Sequence, residues 1–461
     1  MTAALAQPLP QRLAHMDLPR LQAYRENLDF YRGVQWTGPS RRRERRLTFN
    51  YAKAIVDKTA AYVMNGLEVH LLPREPSPQA EALAREAEEA LKEAHQANGL
   101  DQIDLDNEID CSVLGDACYK VTWDPRQGTA RISAPDVQGL FAWWEPDDVA
   151  RVWRVALRYQ LTGEELELAY PHLVPASDSR SPWRRPSALR PSQHTVVEVW
   201  TAGGFQLWVD STLADERPNP YGFIPFVIYP NLREPKQFWG ASDVPPIREA
   251  VQELNRAMSQ LSLILELSGN PIAVLENVSE SHDIAVQPGA VWELPERARA
   301  YLLDLLQGGG VGLHVDYVNL LFRVLHDLAE VPRAAFGEGR QALSGVALEM
   351  ELDPLVKKVQ RKRLLRTAAI RRRTEMVLRL LERQRRRPYS SLRVDVSWGP
   401  VLPQDRSRLA QDEARLVAAG IHSRRTAALA MGTPDALGEF GRWLEEERAL
   451  SRGRAPAAEG G

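Results

Sequence analysis

The side chains in this sequence best suited to chemistry are arginines, which occur in two dense groups. One is the run RRRERR at 41–46, directly ahead of LTFNYAKAIVDKTAAYVM. Guanidinium groups bind carboxylates and phosphates through paired hydrogen bonds. The run therefore predicts a basic loop that leads into an amphipathic helix, and it is either a solvated turn or a phosphate contact.

The second group lies at 357–387, where fourteen basic residues stand against two acidic ones. These basic residues occupy the polar face of a predicted helix whose opposite face is apolar. Such a helix suits direct DNA binding. The segment 74–116 carries twelve acidic residues against three basic ones and offers a partner of opposite charge. This favours a solvated or intersubunit face over DNA binding.

No pattern typical of catalysis or of a cofactor site is present. GxxxxGK[ST], GxSxG and HExxH are absent. Ile109 occupies the position where a calcium loop at DQIDLDNEID would need glycine. Cys111 and Cys118 form no CxxC pair, and we expect small buried residues in a reducing compartment. The sequence predicts no enzyme, no cofactor and no metal site.

One connecting segment is longer than its neighbours require. AEVPRAAFGEGRQALSGVALEME at 329–351 separates two helix patterns. Helix hairpins usually need about two to eight connecting residues. Val331-Pro332 biases the backbone away from helix, and the glycines allow angles closed to other residues. The pattern indicates a functional loop or disorder.

The first half of the chain mixes helices and strands. The acidic segment 74–116 predicts two helices followed by a strand. The Val-, Trp- and Tyr-rich segments 117–160 and 194–230, with turns at DPRQG and AGG, predict antiparallel strands. Between them, 173–193 predicts an exposed loop rich in Pro, Ser and Arg.

The second half is dominated by long helices. A helix of about 25 residues is predicted after Ser242, with further helices at about 311–330 and 345–385. PIAVLENV and IAVQPGAVWELP predict a small strand-rich unit between the first two. Shorter helices follow RVDVSWGPVLP, and SRGRAPAAEGG predicts a disordered tail.

Length and composition favour a folded, soluble protein with several domains. The chain has 461 residues, enough for two to four domains or lobes. A net charge of −3 argues against coating nucleic acid by bulk positive charge. We expect no signal peptide, and no apolar run approaches the ~20 residues that span a membrane.

From Tyr24 to Gly432 the chain resembles the portal (head–tail connector) proteins of tailed bacteriophages, in particular the siphophage type. The resemblance rests on motifs in the family's order: LDFYRGVQW, FNYAKAIVDKTAAYVMNGLEVHL, NPYGFIPFVIYPN, GASDVPPIREAVQELNRAMSQL, VPRAAFGEGRQALSGVALEMELDPLVKK and GPVLPQDRSRLAQDEARLVAAGIHSRRTAALAMG.

This resemblance implies an α+β portal fold assembled as a ring, typically of twelve subunits, with DNA passing through its centre. Its regions, carried over by position, are an N-terminal extension 1–19, wing 20–241, stem 242–268, clip 269–310, stem 311–330, tunnel loop 331–345, wing 346–400, crown 401–451 and tail 452–461.

The resemblance also implies three sets of site residues. The tunnel loop in the DNA channel would present Arg333, Gly337, Gly339, Arg340, Gln341 and Ser344. The stem helices would pack through Leu254, Met258, Leu261, Leu265, Leu321 and Leu325. The clip would dock partners through Glu276, Glu280, Trp292 and Glu293.

The implied partners are further copies of the chain, double-stranded DNA bound without sequence preference, the terminase large subunit, a head–tail adaptor, and the major capsid and scaffolding proteins. No membrane partner is expected; the implied location is the virion's portal vertex after assembly in the host cytoplasm. The channel should be acidic or neutral beyond a few loop contacts, with 74–116 contributing.

Two further expectations concern assembly and alternatives. The basic 357–387 helix is predicted to pair with a neighbouring subunit's acidic segment, so that high salt loosens the ring. A virion adaptor or scaffold without a channel, and a DNA-processing enzyme that uses the basic helix, remain as alternative functions.

Overall fold

A computed structural model describes most of the chain. The described residues are 8–40, 44–75, 77–173, 193–269, 272–276, 297, 299–303, 310–337, 345–402, 406–433 and 436–453. They form two compact units, Met1–Gly399 and Pro400–Gly461. The mixture of helices and strands confirms an α+β protein.

The helices of the first unit differ widely in length. They are α1 (Leu9–Leu13), α2 (Leu18–Tyr31), α3 (Tyr51–Val63), α4 (Pro78–Asn98), α5 (Leu100–Leu114), α6 (Gly163–Ala169), α7 (Pro245–Gly269), α8 (Gly310–Ala329) and α9 (Gly345–Arg385). The long helices predicted after Ser242 and at 311–330 and 345–385 are confirmed as α7, α8 and α9. At 41 residues, α9 is about 60 Å long.

The strands of this unit form small antiparallel sheets. They are β1 (Leu67–Leu72), β2 (Asp116–Asp124), β3 (Thr129–Ser133), β4 (Leu140–Glu145), β5 (Asp148–Thr162), β6 (Gln193–Thr201), β7 (Gly204–Val209), β8 (Thr212–Pro218), β9 (Phe226–Pro230), β10 (Ile272–Glu276), β11 (Arg299–Leu303) and β12 (Arg393–Trp398).

Two sheets account for the predicted antiparallel segments. One has the order β3-β2-β9 and the other β4-β5-β6-β7-β8. The turns predicted at DPRQG and AGG join β2 to β3 and β6 to β7. Of the predicted loop 173–193, residues 174–192 lie outside the described part of the chain.

The acidic segment folds as the sequence predicts, into two helices and a strand. Ser77 caps α4 by accepting a hydrogen bond from the Ala80 N–H. Gly99, at φ +60°, separates α4 from α5, and Gly115, at φ +107°, ends α5 ahead of β2. A Cβ at Gly115 would lie 2.9 Å from the Gly240 carbonyl oxygen. The tight turn therefore fixes α5 and β2 against the segment that leads into α7.

Two hydrophobic cores hold the first unit together. One joins α4, β2, β3 and β9 to the C-terminal half of α9. The other packs α1 and α2 against the five-stranded sheet. Two further strand pairs are β1 with β12, and β10 with β11. The second of these pairs confirms a strand-containing unit between α7 and α8, although its partner strand lies beyond the predicted IAVQPGAVWELP.

The second unit is helical, as predicted. It contains α10 (Arg406–Ala418), α11 (Arg424–Ala430) and α12 (Ala436–Gly453). Helix α12 ends at Gly453, and the rest of the predicted tail lies outside the described residues. Across the described residues, no helix meets the length and hydropathy of a membrane span.

Candidate functional site

Helix α8 packs against α7 through one of its two apolar faces. Val318, Leu325 and Ala329 on this face are buried. On α7, Val251 and Leu254 are buried as well. This pairing accounts for the hydrophobic period that the sequence shows in both helices.

The other apolar face of α8 is exposed. Its large side chains recur at spacings of four, three, four and four residues, which places them on one side of the helix. They are Leu313, Tyr317, Leu320, Val324 and Leu328, with exposed fractions of 73%, 40%, 47%, 40% and 49%. We call these five residues the α8 stripe. A continuous exposed apolar face of this kind marks an interaction surface.

The residues predicted to pack the stem helices divide between buried and exposed positions. Leu254 and Leu325 are fully buried. Leu265 is 53% exposed. The remaining three, which are partly buried, are Met258, Leu261 and Leu321. The α8 stripe was not among the predicted packing residues, although its spacing can be read from the sequence.

A tight turn fixes the chain directly after α8. The Val331 N–H donates to the His326 carbonyl oxygen at 3.2 Å. His326 returns a hydrogen bond from Nδ1 to the Val331 carbonyl oxygen at 2.6 Å. Arg361 of α9 holds Glu330 through both carboxylate oxygens, at 2.7 Å each. Val331 is fully buried as a result.

The expected tunnel loop is therefore anchored over its first residues. Residues Arg333–Phe336 form a short 3₁₀ helix that ends at Gly337, at φ +86°. The Arg333 guanidinium lies over the Phe322 ring at 5.3 Å. The assignment of 331–345 as a tunnel loop stays a prediction, and the structure adds that its first part, 331–337, packs against α8 and α9. The other predicted loop residues, Gly339, Arg340, Gln341 and Ser344, lie outside the described residues.

Five cationic side chains of α9 are deeply buried. Lys358, Lys362, Arg363, Arg366 and Arg373 are each at most 8% exposed. Buried cations need partners, because leaving one unpaired in a low-dielectric interior is costly. Each of these five residues has such partners within the same chain.

Arg366 makes the most complete ion pair. Its Nε and Nη2 donate to the two oxygens of Glu108 on α5, at 2.7 and 2.9 Å. Nη1 and Nη2 also donate to the carbonyl and side-chain oxygens of Asn231, at 2.7 and 2.8 Å. Farther along α9, Arg373 pairs with Asp104 of α5. Helix α9 is thereby bound to the acidic segment of its own chain.

A second buried cluster joins α9 to the ends of α7 and α8. Lys362 Nζ donates to Asp243, just before α7, at 2.5 Å and to Ser112 at 2.8 Å. Lys358 Nζ donates to the carbonyl oxygen of Ala329 at the end of α8, at 2.9 Å. Burial raises the pKa of the Asp243 carboxyl, but Lys362 and Lys358 outweigh it and hold that pKa below its ordinary value.

These contacts correct the predicted use of the charged segments. Pairing of the basic helix with a neighbour's acidic segment is wrong for the buried residues, because Glu108 and Asp104 are already paired within the chain. Even the exposed Glu93 is paired with Arg385, at 2.7 Å. Glu108 and Asp104 are buried and cannot line a channel; for the exposed acidic residues of 74–116 that role stays a prediction.

The described end of the basic run, residues 44–46, lies beside α7. Arg45 pairs with Glu266 of α7 at 2.9 Å. Leu47 N–H donates to Ser259 and Phe49 N–H to Asn255, at 3.0 and 2.8 Å. The predicted helix after the run is confirmed as α3. Residues 41–43 lie outside the described part of the chain.

The remaining residues singled out in the sequence are the two cysteines and the predicted clip residues. Cys111 and Cys118 are buried, and burial raises the pKa of both thiols. Among the described residues, no group of His, Cys, Asp and Glu is arranged to hold a metal ion. Glu276 is exposed at the end of β10, opposite Arg299. Glu280, Trp292 and Glu293 lie outside the described residues.

Comparison with known proteins gives one positive result. The family described as phage portal protein, SPP1 Gp6-like, matches residues 11–452, nearly the whole chain. No curated protein matches the sequence.

Proposed function

The chain belongs to the phage portal protein family, and we propose that about twelve copies form a ring at one capsid vertex. The family membership gives the chain a portal role in DNA packaging. In the proposed ring, double-stranded DNA passes through the central channel during packaging and ejection. The terminase motor docks on the ring first, and a head–tail adaptor replaces it later.

The observation that carries this proposal is the α8 stripe. Five large apolar side chains form an exposed face of α8 distinct from the face that holds Val318, Leu325 and Ala329; at one edge of this face the Tyr317 hydroxyl donates to Glu253 of α7 at 3.2 Å. Fully burying one such side chain contributes about 1.5–3 kcal/mol. In a ring, the stripe of one subunit packs against the α7–α8 hairpin of the next, where Leu263 and Leu265 are also exposed.

The proposed portal is divided at the boundaries that the resemblance implies. Helices α7 and α8 form the stem, and β10 and β11 belong to the clip. The wing consists of 20–241 and 346–400, and the helical second unit is the crown. Capsid and scaffolding proteins contact the wing in this arrangement, while Glu276 lies on the clip surface that docks the motor or adaptor.

The proposed tunnel loop has a fixed base at 331–337, and its DNA contacts come from residues beyond Gly337. Arg340 and Gln341 are its phosphate contacts, because their groups suit sequence-independent binding to DNA oxygens. Arg333 is a weaker candidate, since its guanidinium already contacts Phe322. Few simultaneous contacts suit a conducting channel, because each added phosphate contact steepens the salt dependence of affinity by about 0.9 log units.

The test is the mass of the purified protein, with negative-stain images of the same sample. A ring should have about twelve times the 51.9 kDa subunit mass and an open centre. A monomer or dimer at every protein and salt concentration would contradict the ring and favour an adaptor without a channel.

A further inference from the structure

A small apolar groove lies at the first half of β5. Its walls come from β5, β9 and α9, and its cavity volume is about 190 Å³. Val152, Ile228 and Leu365 contribute apolar side chains from these three elements. Cofactor pockets usually exceed about 300 Å³. The groove, which we call the β5 groove, is instead of a size to receive one large side chain.

The rim of the β5 groove is aromatic and cationic. Phe238 lines it and stacks on Trp144 with ring centroids 4.4 Å apart. Arg233 and Arg372 are the ionisable residues of its lining, and both are exposed. Neither arginine has an ion-pair partner among the described residues. The groove therefore favours an apolar side chain accompanied by a carboxylate.

Helix α6 presents that combination on the same chain. Leu168 is 76% exposed, the most exposed of the large apolar side chains described. Glu164, four residues earlier, is also exposed and lies on the same side of the helix. Thr162 and Glu165 form a capping box that fixes the start of α6. The helix thus holds a leucine and a carboxylate outward in a defined arrangement.

The groove and the helix lie toward opposite ends of one strand. Val152 lines the groove, whereas α6 follows directly after Thr162 at the end of β5. Ten residues of strand span about 33 Å, so one copy does not fill its own groove. A surface that meets a different, complementary surface on the next copy is the head-to-tail contact from which closed rings are built.

We propose that Leu168 of one subunit inserts into the β5 groove of the next, with Glu164 facing Arg372. This contact rests on the proposed ring, and it adds a wing interface to the one formed by the α8 stripe. The leucine fills the cavity, and the exposed carboxylate and guanidinium fix its orientation. The charged pair contributes direction more than affinity, because exposed ion pairs are weak.

Cysteine cross-linking tests the contact directly. Ala150, exposed in the groove lining, and Leu168 are both replaced in one variant, Ala150→Cys with Leu168→Cys, and treated with a short bismaleimide. The native Cys111 and Cys118 are buried and should not react. The expected result is a ladder of covalent multimers on a denaturing gel. The control, Ala150→Cys with Leu213→Cys, uses a 40% exposed leucine of β8 and should give no ladder.

Charge reversal gives an independent readout. Arg372→Glu and Glu164→Arg should each increase ring dissociation on dilution severalfold. In the double variant, ring dissociation should return toward that of the starting protein. A double variant whose rings dissociate as readily as the two single effects combined predict would contradict the pairing.

The mass measurement separates the two proposals. Rings that form normally but give no ladder with Ala150→Cys and Leu168→Cys would overturn this contact and leave the portal ring standing. The absence of rings under all conditions would overturn both.

Discussion

The inner face of α9 and the outer face of α8 differ in how much of their side-chain surface a single subunit buries. On α9, lysines and arginines are buried and paired with carboxylates of the same chain. On α8, the five apolar side chains of the stripe are 40–73% exposed. Five of the cations that the sequence concentrates in α9 are thus used inside the subunit. The apolar side chains of the α8 stripe are less conspicuous in the sequence, and a single subunit leaves them largely exposed.

The difference assigns separate roles to the two surfaces. Charged contacts position α7, α8 and α9 relative to α5 and so shape the subunit. Apolar contacts of the α8 stripe are available to join subunits. Changes on one surface should therefore affect folding, and changes on the other should affect assembly.

The largest expected effect is on assembly. Leu320→Asp places a charge in the centre of the α8 stripe, where burial against a neighbour would desolvate it. We expect the mass to fall from that of the ring to that of the subunit. The melting temperature of the resulting subunit should match that of an unassembled wild-type subunit, because Leu320 is 47% exposed before assembly.

The matched control is Asn319→Asp, which adds the same charge one residue away on another exposed side of α8. Its rings should persist. Equal dissociation by both variants would mean that added charge, rather than the stripe, decides assembly.

The next effect concerns the charged face of α9. Arg366→Met removes the guanidinium and leaves the Glu108 carboxylate buried without its main partner. Breaking a buried pair from one side typically costs about 3–5 kcal/mol. We expect the free energy of unfolding, measured by urea denaturation, to fall by that order.

Arg371→Met is the control, because Arg371 is an exposed arginine five positions along the same helix. It should change the free energy of unfolding by about 0.5 kcal/mol or less. A small effect of Arg366→Met would show that water or another cation replaces the pair.

A third effect tests a carboxylate near α5 that lacks such an ion pair. Asp116 is fully buried and accepts hydrogen bonds from Tyr24 and from the Gly240 N–H. Burial raises the pKa of Asp116 to about 7, although Tyr24, Gly240 and Arg20 act to lower it. The folded protein therefore holds a proton here that the unfolded chain releases near pH 4. This group favours folding at low pH, and its contribution declines as the pH rises from about 4 to about 7.

Asp116→Asn should remove that dependence. The difference in unfolding free energy, variant minus wild type, should increase by about 1–3 kcal/mol as the pH rises from 5 to 8. His95 acts in the opposite direction, because burial lowers its pKa to about 4 and acid favours the unfolded chain. Comparing variant with wild type at each pH cancels the histidine contribution. Parallel pH profiles would contradict the assignment to Asp116.

The sequence predicted the elements well and the contacts between them poorly. Helical periodicity and a glycine stop gave α7, and turn residues gave the hairpins of the sheets. Charge segregation correctly indicated that α9 and the acidic segment attract each other. It could not show that Arg366 reaches Glu108 of its own chain, because residues 258 positions apart meet only through the tertiary fold.

The loop after α8 shows the same limit. Val331-Pro332 and the glycines predicted irregular backbone, and that was correct at 331–337. The anchoring of this turn depends on Arg361 and on the orientation of His326, neither of which local sequence rules address. The exposure of the α8 stripe likewise depends on which face α7 covers, and both faces are similarly apolar in sequence.

The smallest expected effect distinguishes apolar from electrostatic assembly. At about 1 M salt the Debye length falls to about 3 Å, so that exposed charge pairs contribute little. Pairing between a basic helix and a neighbour's acidic segment would then weaken, and the ring would loosen. Because the buried cations of α9 are paired within the chain, we expect the ring's mass to remain unchanged when salt is raised from about 0.1 M to 1 M.

The exposed Glu164–Arg372 pair would be screened, but Leu168 and the α8 stripe would still hold the subunits together. Dissociation of the wild-type ring in high salt would mean that exposed charges, not the α8 stripe, carry most of the interface energy.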